Sequence, residues 1–256
     1  MIEGNGITLD RFFKENPLAA LGFSGGTDSS YLLYAGLSYG AKIKPYFVKT
    51  AFQPEFELQH AYRLAGQTGA ELTVLEKNIL ENENVASNPS DRCYFCKKSI
   101  FQDIRTRALA DGIQLVIDGT NASDDAADRP GMKVLTELSV RSPLRECGIT
   151  KEEVRRLSKE AGLFTWDKPA YACLATRISP GQAINEETLR RVEKSEDALF
   201  AMGFTDFRVR VAGESAKLQI PQEQLKNIFD KRAEIVKALK PFWVEVLLDL
   251  EGRCCE

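Results

Sequence analysis

The chain contains 256 residues, 43% of them hydrophobic and 28% charged, and its formal net charge is -3. This length accommodates one large domain, or a domain of about 150 residues with a smaller second domain. The slightly negative charge argues against nucleic acid or an anionic membrane as a partner, because either would attract a strongly basic surface.

Neither a targeting segment nor a membrane span is expected. Residues 1–6 lack the basic stretch that precedes the apolar core of a secretory signal, and no run approaches about 20 consecutive apolar residues. We therefore expect a cytoplasmic protein. In that reducing compartment, the six cysteines are interpreted as metal ligands or reactive thiols and not as disulfides. Cys147 and the single histidine, His60, are interpreted as structural residues.

Short apolar segments alternate with helical patterns over residues 1–168, which we assign to a first domain. The predicted strands are 18–23, 43–50, 71–75 and 114–117, and the predicted helices are 8–16, 29–38, 54–66, 91–110 and 150–162. Pro45 predicts that its strand begins there or lies at a sheet edge, and the polar residues 78–90 predict a loop. The alternation favours a mostly parallel, Rossmann-like α/β sheet with its ligand crevice at the carboxyl ends of the strands.

After a linker at 166–170 the pattern changes, and residues 169–256 are assigned to a second domain. Its predicted elements are, in order, a strand at 171–178, a helix at 185–202, strands at 207–211 and 216–220, a helix at 221–239 and a strand at 242–250. This order is that of a small ferredoxin-like α/β sandwich. Open sheet edges favour self-association, so we expect a homo-oligomer in which this domain also binds substrate.

One stretch between a predicted strand and a predicted helix has the composition of an anion-binding loop. It consists of Ser24, Gly25, Gly26, Thr27, Asp28, Ser29 and Ser30. Adjacent glycines let the backbone approach a ligand closely, and the free amides and positive dipole end of the following helix attract phosphate. The hydroxyl groups add donors, and Asp28 could hold an accompanying Mg²⁺ ion. An ordinary N-capped turn is the alternative, whereas the Walker and dinucleotide-binding patterns are absent.

A second acidic loop follows the predicted strand 114–117. It begins at Asp118 and also contains Asn121, Asp124 and Asp125. Because the carboxyl ends of parallel strands share one edge of the sheet, this loop is expected beside residues 24–30. It is therefore a candidate position for Mg²⁺, with a solvated acidic turn as the alternative.

Cys93 and Cys96 form a Cys-x-x-Cys pair in the first turns of the predicted helix 91–110. Taken alone, this pair fits half of a zinc site, a redox pair, a pair of cluster ligands or coincidence. A second pair for a zinc site is available only in the adjacent Cys254 and Cys255, whose spacing is a poor match. Cys173 lies at the domain junction, where its small apolar neighbours favour a structural cysteine.

Several motifs, taken in chain order, resemble those of the LarE family. They are Ser-Gly-Gly-Thr-Asp-Ser at 24–29, Asp-Arg-Cys-Tyr-Phe-Cys-Lys-Lys at 91–98, Asp-Gly-Thr-Asn at 118–121, Lys-Pro-Ala-Tyr-Ala-Cys-Leu-Ala-Thr-Arg-Ile at 168–178 and Phe-Arg-Val-Arg-Val at 207–211. The first also resembles the signature of the wider PP-loop ATP pyrophosphatase superfamily, whose loop holds the pyrophosphate of ATP. LarE proteins are ATP-dependent sulfur transferases that help to build the nickel-pincer nucleotide cofactor of lactate racemase.

The resemblance implies a reaction in two stages. ATP adenylylates a carboxylate of pyridinium-3,5-biscarboxylic acid mononucleotide, and sulfur from sulfide or another donor then displaces AMP to give a thiocarboxylate. The family has two forms: one sacrifices the sulfur of a cysteine at the position of Cys173, and the other holds a [4Fe-4S] cluster with three cysteines. Cys93, Cys96 and Cys173 match the second form, in which the iron without a protein ligand carries sulfide. Asp28 and Cys173 are the implied catalytic residues.

Two arginines of the predicted strand 207–211 are candidates for binding the phosphate of the mononucleotide. Arg208 and Arg210 are two residues apart, so both project from one face of the strand, with apolar residues on the other. Solvated arginines are the alternative, and the resemblance favours the phosphate site. Arg177 and Glu196 are further candidates for the same substrate site.

Three other functions remain open at this point. A tRNA-thiolating PP-loop enzyme is disfavoured by the net charge and by the lack of a clear basic extension. An ATP-dependent amide synthetase would not need the cysteines. A non-enzymatic regulator that binds a cluster or a nucleotide would release no pyrophosphate when ATP and substrate are added.

Overall fold

The computed structural model of the chain describes residues 7–124 and 130–253. Asp125, Cys254 and Cys255 lie outside these residues. The chain forms two compact units: the first comprises Met1–Ile79 and Asp91–Lys168, and the second comprises Leu80–Ser90 and Pro169–Glu256. Within the described residues, no helix is both long enough and apolar enough to cross a bilayer.

The secondary structure follows the alternation of helices and strands expected from the sequence. The helices are α1 (Leu9–Glu15), α2 (Thr27–Ser38), α3 (Glu55–Thr68), α4 (Glu83–Ala86), α5 (Arg92–Ala110), α6 (Pro130–Glu137), α7 (Pro143–Glu146), α8 (Lys151–Glu160), α9 (Glu186–Ala201), α10 (Leu225–Asp230) and α11 (Arg232–Leu239). The strands are β1 (Leu18–Gly22), β2 (Lys42–Lys49), β3 (Thr73–Glu76), β4 (Val116–Ile117), β5 (Arg208–Ala212), β6 (Ser215–Gln219) and β7 (Glu245–Leu248). Short 3-10 helices lie at Ile79–Glu81, Leu174–Arg177 and Gln222–Gln224. The predicted α/β class is confirmed.

The first unit is built on a four-stranded sheet that is parallel, as predicted, and its strand order is β3-β2-β1-β4. Successive residues of β1 point to opposite faces of this sheet. Ala19 and Leu21 are buried in a core cluster with residues of α1 and α2, whereas Ala20 is buried in a second cluster with residues of α5. Because helices cover both faces, β1 is apolar along its length and does not alternate with polar residues.

Pro45 lies within β2, an interior strand that pairs with β1 on one side and with β3 on the other. The expectation that the strand begins at Pro45 or lies at a sheet edge is therefore wrong, since β2 begins at Lys42. The register explains how it is accommodated, because Pro45 lies opposite Leu21 of β1, whereas pairing with β3 begins only at Tyr46 opposite Thr73. The proline, which has no N–H to donate, precedes the segment that is paired on both sides.

Side-chain caps define the predicted starts of two helices. The Thr8 hydroxyl accepts a bond from the Arg11 amide at 3.3 Å and begins α1. Thr150 begins α8 with a complete capping box, in which its hydroxyl accepts from the Glu153 amide and the Glu153 carboxylate accepts from the Thr150 amide. All of these groups lie within a few residues of one another, which is why the sequence alone predicts both helix starts.

The second unit contains a three-stranded sheet in the order β5-β6-β7, with β5 antiparallel and β7 parallel to β6. The expected strand at 171–178 is wrong, because this segment contains the 3-10 helix Leu174–Arg177 and its carbonyl groups accept bonds from side chains. Among the described residues, the sheet therefore lacks the fourth strand of a ferredoxin-like order. The predicted helix 221–239 is interrupted at Lys231, which ends α10 and precedes α11.

Residues 80–90, predicted as a loop, include α4 and belong to the second unit. Backbone bonds hold them there: the Ile184 amide donates to the Ala86 carbonyl at 2.7 Å, and the Gly181 amide donates to the Asn88 carbonyl at 2.8 Å. The Asn88 side chain also donates to the Ser179 carbonyl at 2.9 Å, across 91 residues of chain. Such distant partners leave no local signal in the sequence.

Candidate active site

The loop after β1 is a turn whose shape is set by its own residues. Gly25 has a φ of +67°, and a Cβ atom there would lie 3.2 Å from the Ala61 backbone nitrogen, so only glycine is accommodated without strain. The Ser24 Oγ lies 3.2 Å from the Ser29 Oγ and accepts a bond from the Gly26 amide at 3.3 Å. These contacts hold the turn at the start of the following helix.

The N-terminus of α2 presents backbone amides beside this turn. Gly26 is the N-cap, and the first bond within the helix runs from the Ser30 amide to the Gly26 carbonyl at 3.0 Å. The amides of Thr27, Asp28 and Ser29 precede this bond, so the helix supplies them with no acceptor. Together with the helix dipole, they favour an anion at this position.

Two hydroxyl groups of the loop are buried away from solvent. The Thr27 Oγ1 donates to the Thr165 carbonyl at 2.8 Å. The Ser30 Oγ is buried, and within residues 7–124 and 130–253 it has no hydrogen-bond partner. Of the hydroxyl donors expected from the sequence, Ser24 and Ser29 are the ones that line the cavity at this edge of the sheet.

The Asp28 carboxylate, in the first turn of α2, has two partners from other parts of the first unit. Its Oδ2 pairs with the Nζ of Lys151, the first residue of α8, and its Oδ1 accepts from the Asn121 Nδ2 at 3.3 Å. The structure thus brings together Asp28 and Asn121, which the sequence predicts from separate motifs. Lys151 is a site residue that the sequence does not predict, and its one local signal is its position directly after the Thr150 cap.

Asp118 follows β4 and is buried, with 5% of its surface exposed. Its oxygens accept bonds from the hydroxyls of Thr120 and Ser142, each at 2.6 Å, and from the Thr120 amide at 3.2 Å. The Lys97 Nζ lies 3.5 Å from the carboxylate. Neutral donors therefore fix the orientation of this carboxylate, and Lys97 is a more distant cation.

A glycine allows the loop after β4 to approach the start of α2. Strands β1 and β4 are neighbours, so the loops at their carboxyl ends meet. A Cβ atom at Gly119 would lie 2.8 Å from the Ser29 amide nitrogen and 3.0 Å from the Ser29 Cα. No side chain fits at that distance, so this close approach, which places Asp118 and Asn121, depends on glycine.

A cavity of about 300 Å³ lies at this edge of the sheet. Its apolar lining comes from Phe47 and Val48 of β2 and from Ile100, Phe101 and Ile104 of α5. Its polar lining includes Ser24, Asp28, Ser29, Asp118, Thr120 and Asp124. An apolar wall beside helix amides and carboxylates suits a nucleotide, which has a planar base, anionic phosphates and an associated metal ion.

Cys93 and Cys96 lie in the first turns of α5, as the sequence predicts. Because they are three residues apart, both thiols face the same side of the helix. Cys93 is exposed and Cys96 is half-buried, and the Arg92 Nη2 lies 3.6 Å from the Cys93 Sγ. Two thiols on one side of a helix are the arrangement expected of two ligands to a single ion or cluster.

Cys173 belongs to the second unit, where it is half-buried and caps the 3-10 helix Leu174–Arg177. Within the described residues of either unit taken by itself, no group of three or more His, Cys, Asp or Glu side chains is placed to hold a metal ion. The predicted cluster takes ligands from both units, so it stays a prediction.

A buried ion pair supports the backbone around Cys173. Arg177 and Glu196 have 0% and 1% of their surfaces exposed and share two charge-assisted bonds of 2.9 and 3.0 Å. Arg177 also donates to the carbonyls of Ala172 at 2.6 Å and Cys173 at 3.4 Å, while Glu196 accepts from the Val209 amide at 2.9 Å. The two side chains that the sequence offers as substrate ligands are thus engaged within the protein, where they position this segment.

Arg208 and Arg210 extend from β5 to the same segment. The Arg208 Nη2 donates to the Ala170 carbonyl at 3.0 Å, and the Arg210 Nη1 donates to the Thr176 carbonyl. Val209, between the two arginines, is buried on the other face of the strand. Carbonyl groups of the segment around Cys173 thus accept hydrogen bonds from guanidinium groups. These bonds explain why the segment does not form the predicted strand of the sheet.

Arg208 is a buried cation that, among the described residues, has no paired carboxylate. It is 8% exposed, and its pKa is lowered to about 10, chiefly by burial and then by the charges of Arg177 and Arg253. The charges of Glu196 and Asp206 oppose this effect, but these carboxylates are paired with Arg177 and Arg253. A bound anion would supply the counter-charge that a buried guanidinium requires.

His60 and Cys147, interpreted from the sequence as structural residues, both pack against apolar neighbours. His60 packs edge-on against Phe56 and Phe164, with ring centroids 5.6 Å from each, and burial together with two nearby cations lowers its pKa. Cys147 packs against the core of the first unit, and burial raises the pKa of its thiol to about 11. Cys147 is half-buried in a setting that agrees with a structural role, whereas the buried His60 Nδ1 has no hydrogen-bond partner among the described residues.

Curated relatives match nearly the whole chain, although no protein-family model matches it. The chain is 36% identical to an uncharacterized protein of Synechocystis over 258 residues, which covers 98% of this chain and 96% of the relative. It is 27% identical to the pyridinium-3,5-bisthiocarboxylic acid mononucleotide synthase of Lactiplantibacillus plantarum over 248 residues, or 96% of this chain and 90% of the relative. An uncharacterized protein of Methanocaldococcus jannaschii is 29% identical over 244 residues, or 95% of this chain and 93% of the relative.

Glu196→Ala is expected to destabilise the second unit by about 3–5 kcal/mol, because it leaves Arg177 as an unpaired buried charge. The matched control is Glu186→Ala on the same helix, whose exposed pair with Arg190 is expected to matter little. Urea unfolding of both variants, followed by circular dichroism, measures the difference. Equal losses in the two variants would contradict the positioning role of the buried pair.

Proposed function

Because the chain belongs to the LarE family, we propose that it is an ATP-dependent sulfur transferase that converts a carboxylate of pyridinium-3,5-biscarboxylic acid mononucleotide into a thiocarboxylate. This reaction is a step in building the nickel-pincer nucleotide. One observation carries the proposal: the loop residues Ser24, Asp28 and Ser29 line one cavity together with Asp118, in a chain that matches a named synthase over 96% of its length.

Activation by ATP makes the carboxylate reactive. A carboxylate oxygen of the substrate attacks the α-phosphorus of ATP, and the bond from that phosphorus to the bridging oxygen of pyrophosphate breaks. The products are an acyl adenylate and pyrophosphate. Sulfide then attacks the acyl carbon, and AMP leaves with the carboxylate oxygen. AMP is a far better leaving group than oxide, which is why the reaction needs the nucleotide.

Groups at the carboxyl ends of β1 and β4 suit the triphosphate and its metal ion. The amides in the first turn of α2 bind phosphate oxygens, and the loop hydroxyls add further donors. Asp28, Asn121 and Asp118 offer the hard oxygen ligands that Mg²⁺ prefers. Asp28 is paired with Lys151, so this carboxylate already binds a cation, and it would hold a metal ion beside the lysine or in its place.

Strand β5 supplies the proposed anchor for the phosphate of the mononucleotide. Arg208 is a buried guanidinium, a group whose planar fork matches the oxygens of a phosphate. Arg210 extends from the same face of the strand. Both arginines donate to carbonyls of residues 170–176, so a bound phosphate competes with those bonds and couples substrate binding to the segment that carries Cys173.

Cys93, Cys96 and Cys173 are the proposed ligands of a [4Fe-4S] cluster. The donor set is suitable, because two thiols share one side of α5 and the third lies in a segment whose backbone is held by arginines. A cluster held by three thiolates has one iron without a protein ligand, and that iron can carry an added sulfide. The role of the protein itself is to hold the three sulfur atoms in place and to bind the substrate and ATP.

Asp28→Asn is expected to lower substrate-dependent AMP formation roughly 100-fold or more, because it removes a carboxylate assigned to Mg²⁺. The matched control is Asp10→Asn, which changes an aspartate in the first turn of α1 that also pairs with a lysine and is not part of the cavity lining. AMP is measured by chromatography with ATP and the mononucleotide present. Unchanged AMP formation in Asp28→Asn would remove this carboxylate from the site.

Arg208→Ala is expected to raise the KM for the mononucleotide about 10- to 100-fold, equivalent to roughly 1.5–3 kcal/mol for a charge-assisted contact. The KM for ATP should hardly change, and the same pattern is expected for Arg210→Ala. Arg190→Ala, which changes an exposed arginine of α9, is the control. Steady-state kinetics of AMP release provide both constants. An equal rise in the two KM values would count against phosphate binding by these arginines.

Each of Cys93→Ser, Cys96→Ser and Cys173→Ser is expected to lose both the cluster and the thiocarboxylate product while still forming AMP. Cys147→Ser is the control and should retain all three, because burial holds the pKa of this thiol at about 11. Iron content and visible absorption are measured on anaerobically purified protein.

A normal cluster in Cys173→Ser, or zinc in place of iron in the wild type, would contradict the cluster assignment. In the sacrificial route, wild-type Cys173 would be converted to dehydroalanine, with loss of H₂S, during one turnover. That result would replace the cluster assignment with the sacrificial route. Mass spectrometry of the intact chain after a single turnover distinguishes these two routes.

A further inference from the structure

Residues 165–168 run alongside the loop at residues 24–30 and are held there by hydrogen bonds. The Thr27 hydroxyl donates to the Thr165 carbonyl at 2.8 Å. From α8, Arg155 donates to the carbonyls of Trp166 and Lys168, both at 3.0 Å. The backbone of Lys168 is thus fixed beside the loop by contacts that do not involve its own side chain.

The Lys168 side chain reaches the loop itself. Its Nζ lies 3.5 Å from the Gly25 carbonyl and 5.8 Å from the centroid of the Phe56 ring. Burial lowers the pKa of Lys168, and the charge of Glu57 offsets this effect only in part. Within the part of the chain that the structure describes, no carboxylate lies within the 4.0 Å ion-pair distance of this ammonium group. Lys168 is half-buried, and a partly desolvated ammonium group that has no carboxylate paired with it favours a bound anion.

The position of Lys168 indicates which part of a nucleotide it meets. Ser24, Asp28 and Ser29 line the cavity of about 300 Å³, whereas Gly25 and Lys168 do not belong to its lining. A nucleotide whose base packs against the apolar wall places its phosphates along the loop. The phosphates farthest from the base therefore extend beyond the cavity to the part of the loop that Lys168 covers.

We propose that Lys168 binds the β- and γ-phosphates of ATP and stays bound to pyrophosphate as it leaves. This inference rests on the proposed ATP-dependent function. In the activation step, the substrate oxygen bonds to the α-phosphorus while the bond to the bridging oxygen breaks, so negative charge builds up on pyrophosphate. The Lys168 ammonium group stabilises that charge without giving up a proton, and the first-turn amides of α2 act together with it.

Lys168→Met tests the inference, because it keeps the aliphatic part of the side chain and removes the charge. Isothermal titration calorimetry of the full chain uses Mg²⁺ with pyrophosphate, with an α,β-methylene analogue of ATP, or with AMP. The variant is expected to bind pyrophosphate and the analogue about 10- to 100-fold more weakly, with almost unchanged affinity for AMP. Lys168→Arg should recover most of the lost affinity, since it retains the charge.

Lys159→Met is the matched control, because Lys159 is an exposed lysine of α8 that lies over the Trp166 ring, and its variant should bind all three ligands as the wild type does. Unchanged pyrophosphate binding in Lys168→Met would overturn the inference and leave the proposed function standing. An equal loss of AMP affinity would also overturn it, because Lys168 would then only shape the loop. A wild-type chain that binds neither pyrophosphate nor the ATP analogue would overturn both.

Discussion

The close approach of two loops at the carboxyl edge of the parallel sheet is the constraint on which the site of the first unit depends. Strands β1 and β4 are neighbours and deliver their following loops to the same edge, where Gly119 lets the second loop lie against the Ser29 backbone. A methyl group at position 119 would move Asp118 and Asn121 away from the N-terminus of α2. With glycine there, the helix amides, the carboxylates and the apolar wall all meet at one cavity.

In the second unit, the corresponding constraint is the burial of charge. Removing Arg177 and Glu196 from water is costly, and the hydrogen bonds of the pair offset that cost. Some of those bonds end on the backbone around Cys173, so a segment without a regular strand still holds this cysteine in a defined place. Arg208 is also buried but lacks a paired carboxylate among the described residues, which makes it suitable for an anionic ligand.

Local signals predict those parts of the structure that local interactions determine. The strand, turn and helix at β1 and α2, the helix caps and the cysteine pair at the start of α5 are each encoded within a short stretch of sequence. The segment 171–178 has the pattern of a strand, but arginines brought from elsewhere in the fold take its carbonyl groups. The pair of Asp28 and Lys151 spans 123 residues, and Lys168 contacts a loop 143 residues away. No pattern near any of these residues marks the contact, since only the folded chain creates it.

Exchange of labelled pyrophosphate into ATP tests the central claim most directly, because it reports the reversible activation step alone. The assay contains the protein, Mg²⁺, ATP, radiolabelled pyrophosphate and the dicarboxylate mononucleotide, with no sulfur donor. Exchange that requires the mononucleotide and proceeds without sulfide is the predicted result. Exchange that is absent, or equally fast without the mononucleotide, would contradict the claim that this chain activates a substrate carboxylate as an acyl adenylate.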